Sequence, residues 1–127
     1  MIADTSFLID VMNRLPAAVK LLQEHKEPIN ITTISIFELW SGVSRSAKQE
    51  HEKIKIRDVL AGQIVHVLDE SAAEKGGFIQ GLLLKAGETI DPEDCMIAGI
   101  AINLREPILT RNVEHFKRIK GLLVETY

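Results

Sequence analysis

The chain has 127 residues, of which 46% are hydrophobic and 26% are charged, and its formal net charge is −3. These proportions are typical of a globular protein and exclude a disordered chain, and the length suits a single domain over residues 1–127. The acidic balance gives no general attraction to nucleic acid, so any such binding needs local basic patches or bound cations. One cysteine, Cys95, excludes a disulfide within the chain. Because no basic signal region and no membrane-spanning apolar run occurs, we expect a cytoplasmic protein without a membrane partner.

The pattern along the chain predicts short strands that alternate with helices. Short apolar or β-branched runs predict buried strands at 1–4, 29–32, 64–68, 107–110 and 122–125. Helical spacing of apolar residues predicts helices at 6–12, 17–25, 36–45, 48–60, 71–85, 92–104 and 112–119. This alternation is typical of an α/β three-layer sandwich with a central, mainly parallel sheet. In such sheets ligands bind beyond the carboxyl ends of the strands, so the residues that follow each strand are the candidates for a site.

Three glycines, Gly76, Gly77 and Gly81, interrupt the predicted helix at 71–85. Each costs roughly 1 kcal/mol of helix stability relative to alanine. Either these glycines allow a close contact with another helix, or the helix is kinked.

Two acids follow the first two strands. Asp4 ends the first strand, where it can also cap the next helix, and Glu38 interrupts an apolar helix that follows the second strand. Glu38 also has an ordinary structural interpretation as a partly exposed helix residue. Gly42 lies one helical turn after Glu38 and has no side chain to cover that face.

A third acid, Asp94, lies at the start of the helix at 92–104. If Asp91 is the N-cap and Pro92 begins the helix, a rotation of ~100° per residue turns Asp94 inward. Asp94 then shares its face with Ile97, Ala98 and Ala101. The opposite face, which we expect at the surface, comprises Pro92, Met96, Gly99 and Asn103. An acid in a first helical turn also favours the positive helix terminus, which is the structural alternative for Asp94.

If Asp4, Glu38 and Asp94 converge at the carboxyl edge of the sheet, their mutual repulsion is large without a cation. Carboxylate oxygens are hard ligands, so the expected ion is Mg²⁺ or Mn²⁺ rather than zinc. The four histidines are scattered without a zinc-binding spacing, which agrees with this choice. Asn112 follows another predicted strand, where its amide oxygen can accept a hydrogen bond from water at the site or cap the next helix.

Four short motifs span nearly the whole chain. They are Ile2–Ser6, Ile36–Gly42, Ile90–Ala98 and Leu109–Asn112. Their order and spacing resemble those of the PIN-domain ribonucleases, and most closely those of the VapC-type toxins of prokaryotic toxin–antitoxin pairs. The resemblance implies a PIN-like fold and a metal-dependent endoribonuclease that hydrolyses RNA phosphodiester bonds with Mg²⁺ or Mn²⁺.

The same resemblance implies roles for individual residues. It assigns metal binding and catalysis to Asp4, Glu38 and Asp94, and it places Asn112 at a fourth catalytic position that is aspartate in many relatives. The neutral amide puts direct coordination by this fourth residue in doubt. The hydroxyl groups that support the site are those of Ser6 and Thr110.

The resemblance also implies an RNA substrate, a cognate antitoxin and a homodimer. Arg45, Lys48 and Arg111 lie near the motif ends and are candidates for RNA contact. Trp40, the only tryptophan, is either an anchor for a partner or a core residue. Two alternative functions are a catalytically inactive PIN-like binding module and a receiver-type signalling domain. The receiver type needs paired acids after the first strand and a lysine after a late strand, and the chain has neither.

Overall fold

A parallel sheet of five strands forms the centre of the protein in the computed structural model, which describes residues 1–127. The strands are β1 (Ile2–Ala3), β2 (Asn30–Thr32), β3 (Ile64–His66), β4 (Ile108–Leu109) and β5 (Val124–Glu125). Their order is β3-β2-β1-β4-β5, and every neighbouring pair is parallel. The register places Ile2 of the central strand beside Ile108 of β4 and Asn30 of β2. The predicted α/β class with a parallel sheet is confirmed.

Seven helices connect and cover the strands. They are α1 (Thr5–Met12), α2 (Pro16–Glu24), α3 (Thr33–Ser44), α4 (Gln49–Leu60), α5 (Glu70–Lys85), α6 (Pro92–Leu104) and α7 (Val113–Phe116). The predicted helices and strands agree with these bounds to within three residues at each end. None of the helices combines the length and the apolar composition that a membrane span requires.

The core divides into two clusters, as expected for a sheet with helices on both faces. One cluster contains Phe7, Ile31 and Leu39, and the other contains Ile97 and Phe116, each with further apolar neighbours. Strands β1 and β4 are buried throughout and contain only apolar residues, whereas β2 also contains the half-buried Asn30 and the buried Thr32.

Strand β3 differs from the prediction of a buried strand. Ile64 and Val65 are 46% and 45% exposed. The prediction was wrong for β3 because this strand lies at the edge of the sheet. A run of β-branched residues predicts a strand, but it does not indicate whether other elements cover that strand.

Helices α5 and α6 pack so closely that two glycines are required at their contact. A Cβ atom on Gly99 of α6 would lie 2.3 Å from the backbone oxygen of Ala72 in α5. A Cβ atom on Gly76 of α5 would lie 2.8 Å from the backbone oxygen of Cys95 in α6. Real Cβ atoms do not approach backbone oxygens this closely, so any side chain at these positions would push the helices apart.

This contact corrects one expectation and resolves another. Gly99 lies on the face that was predicted to reach the surface, but it is buried because α5 covers that face. Close helix contact explains Gly76. A Cβ atom on Gly77 or Gly81 would meet nothing within 4 Å, and the structure offers no reason for glycine at these two positions.

Candidate active site

Asp4 lies at the carboxyl end of the central strand and is 2% exposed. Its Oδ1 accepts a hydrogen bond of 2.7 Å from the backbone N–H of Thr5, so the side chain caps α1. Its Oδ2 accepts hydrogen bonds from the hydroxyls of Ser6 at 2.9 Å and Thr110 at 2.8 Å. One carboxylate oxygen of Asp4 therefore caps the helix, and the other belongs to a hydroxyl network at the strand ends.

The same network fixes the segment that follows β4. The hydroxyl of Ser6 accepts a hydrogen bond of 3.2 Å from the backbone N–H of Arg111, and the hydroxyl of Thr110 accepts one of 2.9 Å from the backbone N–H of Asn112. Asn112 occupies the N-cap position of α7, yet its side chain makes no capping hydrogen bond. The structure thus gives the amide of Asn112 no capping role.

Glu38 lies on α3 and is half-buried. Helix α3 starts after Thr32, whose hydroxyl accepts a hydrogen bond of 3.1 Å from the backbone N–H of Ser35. Oε1 of Glu38 accepts a hydrogen bond of 2.8 Å from the hydroxyl of Thr5. Burial raises the pKa of Glu38, the hydrogen bond from Thr5 lowers it, and the charge of Asp4 raises it again. Glu38 therefore faces the same region as Asp4.

Asp94 lies in the first turn of α6, and its side chain is 13% exposed. Burial raises the pKa of Asp94 to about 7, and the charges of Asp4, Glu38 and Asp91 add to this rise. The imidazole of His115, with Nδ1 at 3.5 Å from Oδ2 of Asp94, has the opposite effect on this pKa. The structure thus turns Asp94 toward the other two acids. Asp91 occupies the N-cap position, as predicted.

The charges of the three acids influence one another, but their side chains are not arranged as a complete metal-binding site. No group of three or more His, Cys, Asp and Glu side chains has the arrangement of a metal centre. The carboxylates of Asp4 and Glu38 point toward their hydroxyl partners, and this explains why the side chains do not have the arrangement of a metal centre. The electrostatic coupling is the better guide to the chemistry, because the charges of Asp4 and Glu38 both raise the pKa of Asp94. Buried carboxylates that repel one another are a donor set that suits a hard divalent cation.

Sequence reasoning missed two members of this region. Thr5 steadies Glu38 through its hydroxyl, and its place directly after Asp4 was the only signal for it. His115 contacts Asp94 from α7, and its position three residues after Asn112, within one helical turn, was the available signal.

The three basic candidates for RNA contact occupy two places. Arg111 lies at the site, since its backbone N–H donates to Ser6. Arg45 and Lys48 lie between α3 and α4, where both are exposed and neither forms an ion pair. Their contact with RNA stays a prediction.

Trp40 is half-buried and packs against the core cluster that contains Phe7. The guanidinium of Arg57 lies over its ring at 5.7 Å from the centroid. The packing agrees with the interpretation of Trp40 as a core residue, and contact with a partner stays a prediction.

The known proteins that resemble this chain in sequence and in fold agree with one another. The family model described as "PIN domain" matches residues 1–122. The chain is 31% identical to "Ribonuclease VapC2" of Rickettsia felis, over 98% of the chain and 95% of that protein. It is 29% identical to "tRNA(fMet)-specific endonuclease VapC" of Shigella flexneri, with the same coverage of the two chains. A solved structure, "Crystal structure of VapBC2 from Rickettsia felis bound to a DNA fragment from their promoter", superposes with a TM-score of 0.90 at 26% identity, covering 99% of this chain and 97% of that one.

Proposed function

The chain belongs to the PIN domain family, and from this premise we propose that it is a metal-dependent endoribonuclease, the toxin of a VapBC-type toxin–antitoxin pair. The observation that carries the proposal is the group formed by Asp4, Glu38 and Asp94 near the carboxyl edge of the sheet, where the charge of Asp4 raises the pKa of Glu38 and the charges of Asp4 and Glu38 raise that of Asp94. The names of the similar proteins, a ribonuclease and a tRNA endonuclease, support RNA as the substrate class. Membership of this family leaves the receiver-type alternative without support.

We propose that Asp4, Glu38 and Asp94 hold Mg²⁺ or Mn²⁺, because their oxygens are the hard ligands that these ions prefer. The chemistry that such an ion supplies when bound is a lower pKa for water and charge stabilisation at the scissile phosphate. Ser6 and Thr110 fix the carboxylate of Asp4 through two hydrogen bonds, and Thr5 fixes that of Glu38.

Asn112 completes the proposed site as a neutral group. Its amide oxygen can accept a hydrogen bond from the attacking water, which orients the water without adding a further negative charge. This role agrees with the absence of a capping hydrogen bond from its side chain.

RNA cleavage by the purified chain, freed of any antitoxin, tests the proposed activity. We expect cleavage of total tRNA with Mg²⁺ or Mn²⁺, none with excess EDTA, and products with a 5′ phosphate and a 3′ hydroxyl. Asp94→Asn should lower kcat at least about a hundredfold, since it removes one of the proposed ligands. Glu70→Gln is the matched control, because Glu70 is an exposed acid in the first turn of another helix.

Two results would contradict the activity. Equal cleavage by Asp94→Asn at matched purity would remove that residue from the site. Binding of RNA without cleavage under every metal condition would favour the inactive binding module instead.

We also propose a cognate antitoxin and a homodimer as partners. The similar solved structures that are described as VapBC complexes support the antitoxin. The test is co-expression of a tagged chain with the product of a short reading frame that adjoins its gene. We expect the two proteins to purify together and RNA cleavage to be suppressed until the second protein is removed. The mass of the isolated chain by light scattering tests the dimer.

A further inference from the structure

Asp10 is a buried acid that the proposed chemistry does not use. It lies on α1, is 4% exposed, and is not among the residues whose charges act on Asp94. A buried carboxylate is costly unless it is paired and hydrogen-bonded. Its Oδ1 accepts a hydrogen bond of 2.5 Å from Nη1 of Arg111, and its Oδ2 accepts one of 2.6 Å from the hydroxyl of Tyr127. Both oxygens therefore have a partner.

Arg111 is anchored at two points, through its backbone to the hydroxyl network of Asp4 and through its side chain to Asp10. Its backbone N–H donates to the hydroxyl of Ser6, which itself donates to Asp4. Its side chain makes one hydrogen bond within the protein, to Asp10, and remains 54% exposed. A guanidinium carries several N–H donors in one rigid plane, so the hydrogen bond to Asp10 leaves further donors available on a side chain of which about half is open to solvent.

Tyr127 holds Asp10 from the other side. Its ring packs edge-on against Phe7, with the centroids 5.1 Å apart and the planes at 75°. Burial and the hydrogen bond to Asp10 raise the pKa of Tyr127, so its hydroxyl stays protonated and remains a donor. The carboxylate of Asp10 is thereby prevented from rotating away from Arg111.

We propose that Asp10 and Tyr127 are positioning residues that fix the guanidinium of Arg111 as a phosphate-binding group for the RNA beside the acid group. This inference rests on the proposed ribonuclease function. The three carboxylates repel an RNA phosphate, so a guanidinium that is held in a defined orientation near the chain segment after β4 contributes more to binding than a mobile cation does. A guanidinium already paired by one edge can still bind a phosphate with the other.

A purely structural role makes a different prediction. If Asp10 only tied Tyr127 to α1, its substitution would lower stability and would change RNA binding whether or not Arg111 were present. If Asp10 acts through Arg111, its effect on RNA binding disappears once the guanidinium is gone. A double-mutant cycle separates the two roles.

The experiment compares Asp10→Asn, Arg111→Ala and the double variant with the wild-type chain, all freed of any antitoxin. The affinity for fluorescein-labelled total tRNA is measured by anisotropy in EDTA, and kcat and KM are measured on the same RNA with Mn²⁺. We expect Arg111→Ala to raise Kd about tenfold and Asp10→Asn to raise it about threefold, since charge-assisted hydrogen bonds to phosphate are among the stronger ones. In the Arg111→Ala background, Asp10→Asn should leave Kd unchanged. In the wild-type background it should raise KM by a similar factor while kcat changes less than about twofold.

Two further variants serve as controls. Tyr127→Phe keeps the ring against Phe7 and removes only the hydroxyl, so it should raise Kd about twofold with little loss of stability, and it replaces Asp10→Asn if that variant does not fold. Glu88→Gln breaks a pair of the same type elsewhere, since Glu88 lies 3.6 Å from Nη1 of Arg118. It should leave Kd for tRNA unchanged.

The outcomes are distinct for the two proposals. If the wild-type chain cleaves tRNA but Asp10→Asn changes Kd equally in both backgrounds, or in neither, the positioning role is wrong and the ribonuclease proposal stands. If the variants show the expected coupling in tRNA binding but nothing is cleaved, the positioning role stands and the ribonuclease proposal is wrong. A wild-type chain that neither binds nor cleaves tRNA overturns both.

Discussion

Asp94→Asn should raise the stability of the metal-free protein near neutral pH, although we expect it to abolish cleavage. Asp94 is held among other acids, and burial together with their charges raises its pKa to about 7. The folded state therefore binds a proton between about pH 4 and pH 7 that the unfolded chain releases, so the free energy of unfolding falls as the pH rises through this window. Asparagine has nearly the same shape and carries no charge, so the free energy of unfolding of the variant should not fall in this way as the pH rises.

The size of the effect follows from the shifted pKa. An ordinary aspartate has a pKa of 3.8, and a rise to about 7 corresponds to roughly 4 kcal/mol at 1.36 kcal/mol for each pH unit. Solvent reaches 13% of the side chain, and water screens part of the repulsion. The variant also loses about 0.3–1 kcal/mol, because an acid in a first helical turn favours the helix dipole. We therefore expect a net gain of about 1–3 kcal/mol above pH 7 and almost no difference near pH 4, where the carboxyl group of Asp94 is neutral in the folded state.

Urea unfolding in EDTA, followed by circular dichroism across this pH range, measures the difference. Glu70→Gln controls for the loss of a first-turn acid, since Glu70 is exposed at the start of α5. Added Mn²⁺ should stabilise the wild-type chain and have little effect on Asp94→Asn. An Asp94→Asn variant no more stable than the wild type near pH 7, or a difference that does not shrink toward pH 4, would refute the claimed repulsion among the acids.

Two other predictions concern the helix contact and the metal site. Gly99→Ala should lower the free energy of unfolding by about 2–4 kcal/mol, because its methyl group would meet a backbone oxygen of α5, whereas Gly77→Ala should raise it by about 0.5–1 kcal/mol through helix propensity. Urea unfolding of the two variants checks both signs, and equal effects would contradict the close contact. Asp4→Asn should weaken Mn²⁺ binding at least about tenfold in titration calorimetry, while an unchanged affinity would leave Asp4 with its capping role alone.

The sequence predicted the fold well because the signals for it are local. Strand and helix lengths follow from apolar spacing and from the residues at their ends, as in α6, where Asp91 and Pro92 set the first turn. The rotation of ~100° per residue, counted from this first turn, predicted that Asp94 points inward. The rule that ligands bind beyond the carboxyl ends of parallel strands pointed to the residues after β1 and β4, and Asp4 and Thr110 are in contact there.

The sequence could not predict the features that depend on which surfaces pack together in the fold. Nothing in a single sequence indicates that α5 covers Gly99 or that β3 lies at an edge with Val65 exposed. The pairing of Asp10 with Arg111 joins residues 101 positions apart, and no periodic pattern specifies it. The roles of the site residues in catalysis stay predictions, because they depend on substrate and ion as well as on position.

The contact at Gly76 and Gly99 bears on which ion the proposed site would accept. Gly99 lies five residues along α6 from Asp94, about 7.5 Å along the helix axis at ~1.5 Å per residue. Gly99 and Asp94 belong to the same helix, so a substitution that displaces α6 from α5 is expected to displace Asp94 as well. Mg²⁺ demands shorter and more regular oxygen distances than larger cations do. A side chain added at either glycine is therefore expected to weaken Mg²⁺ binding at the proposed site, although every carboxylate stays in place.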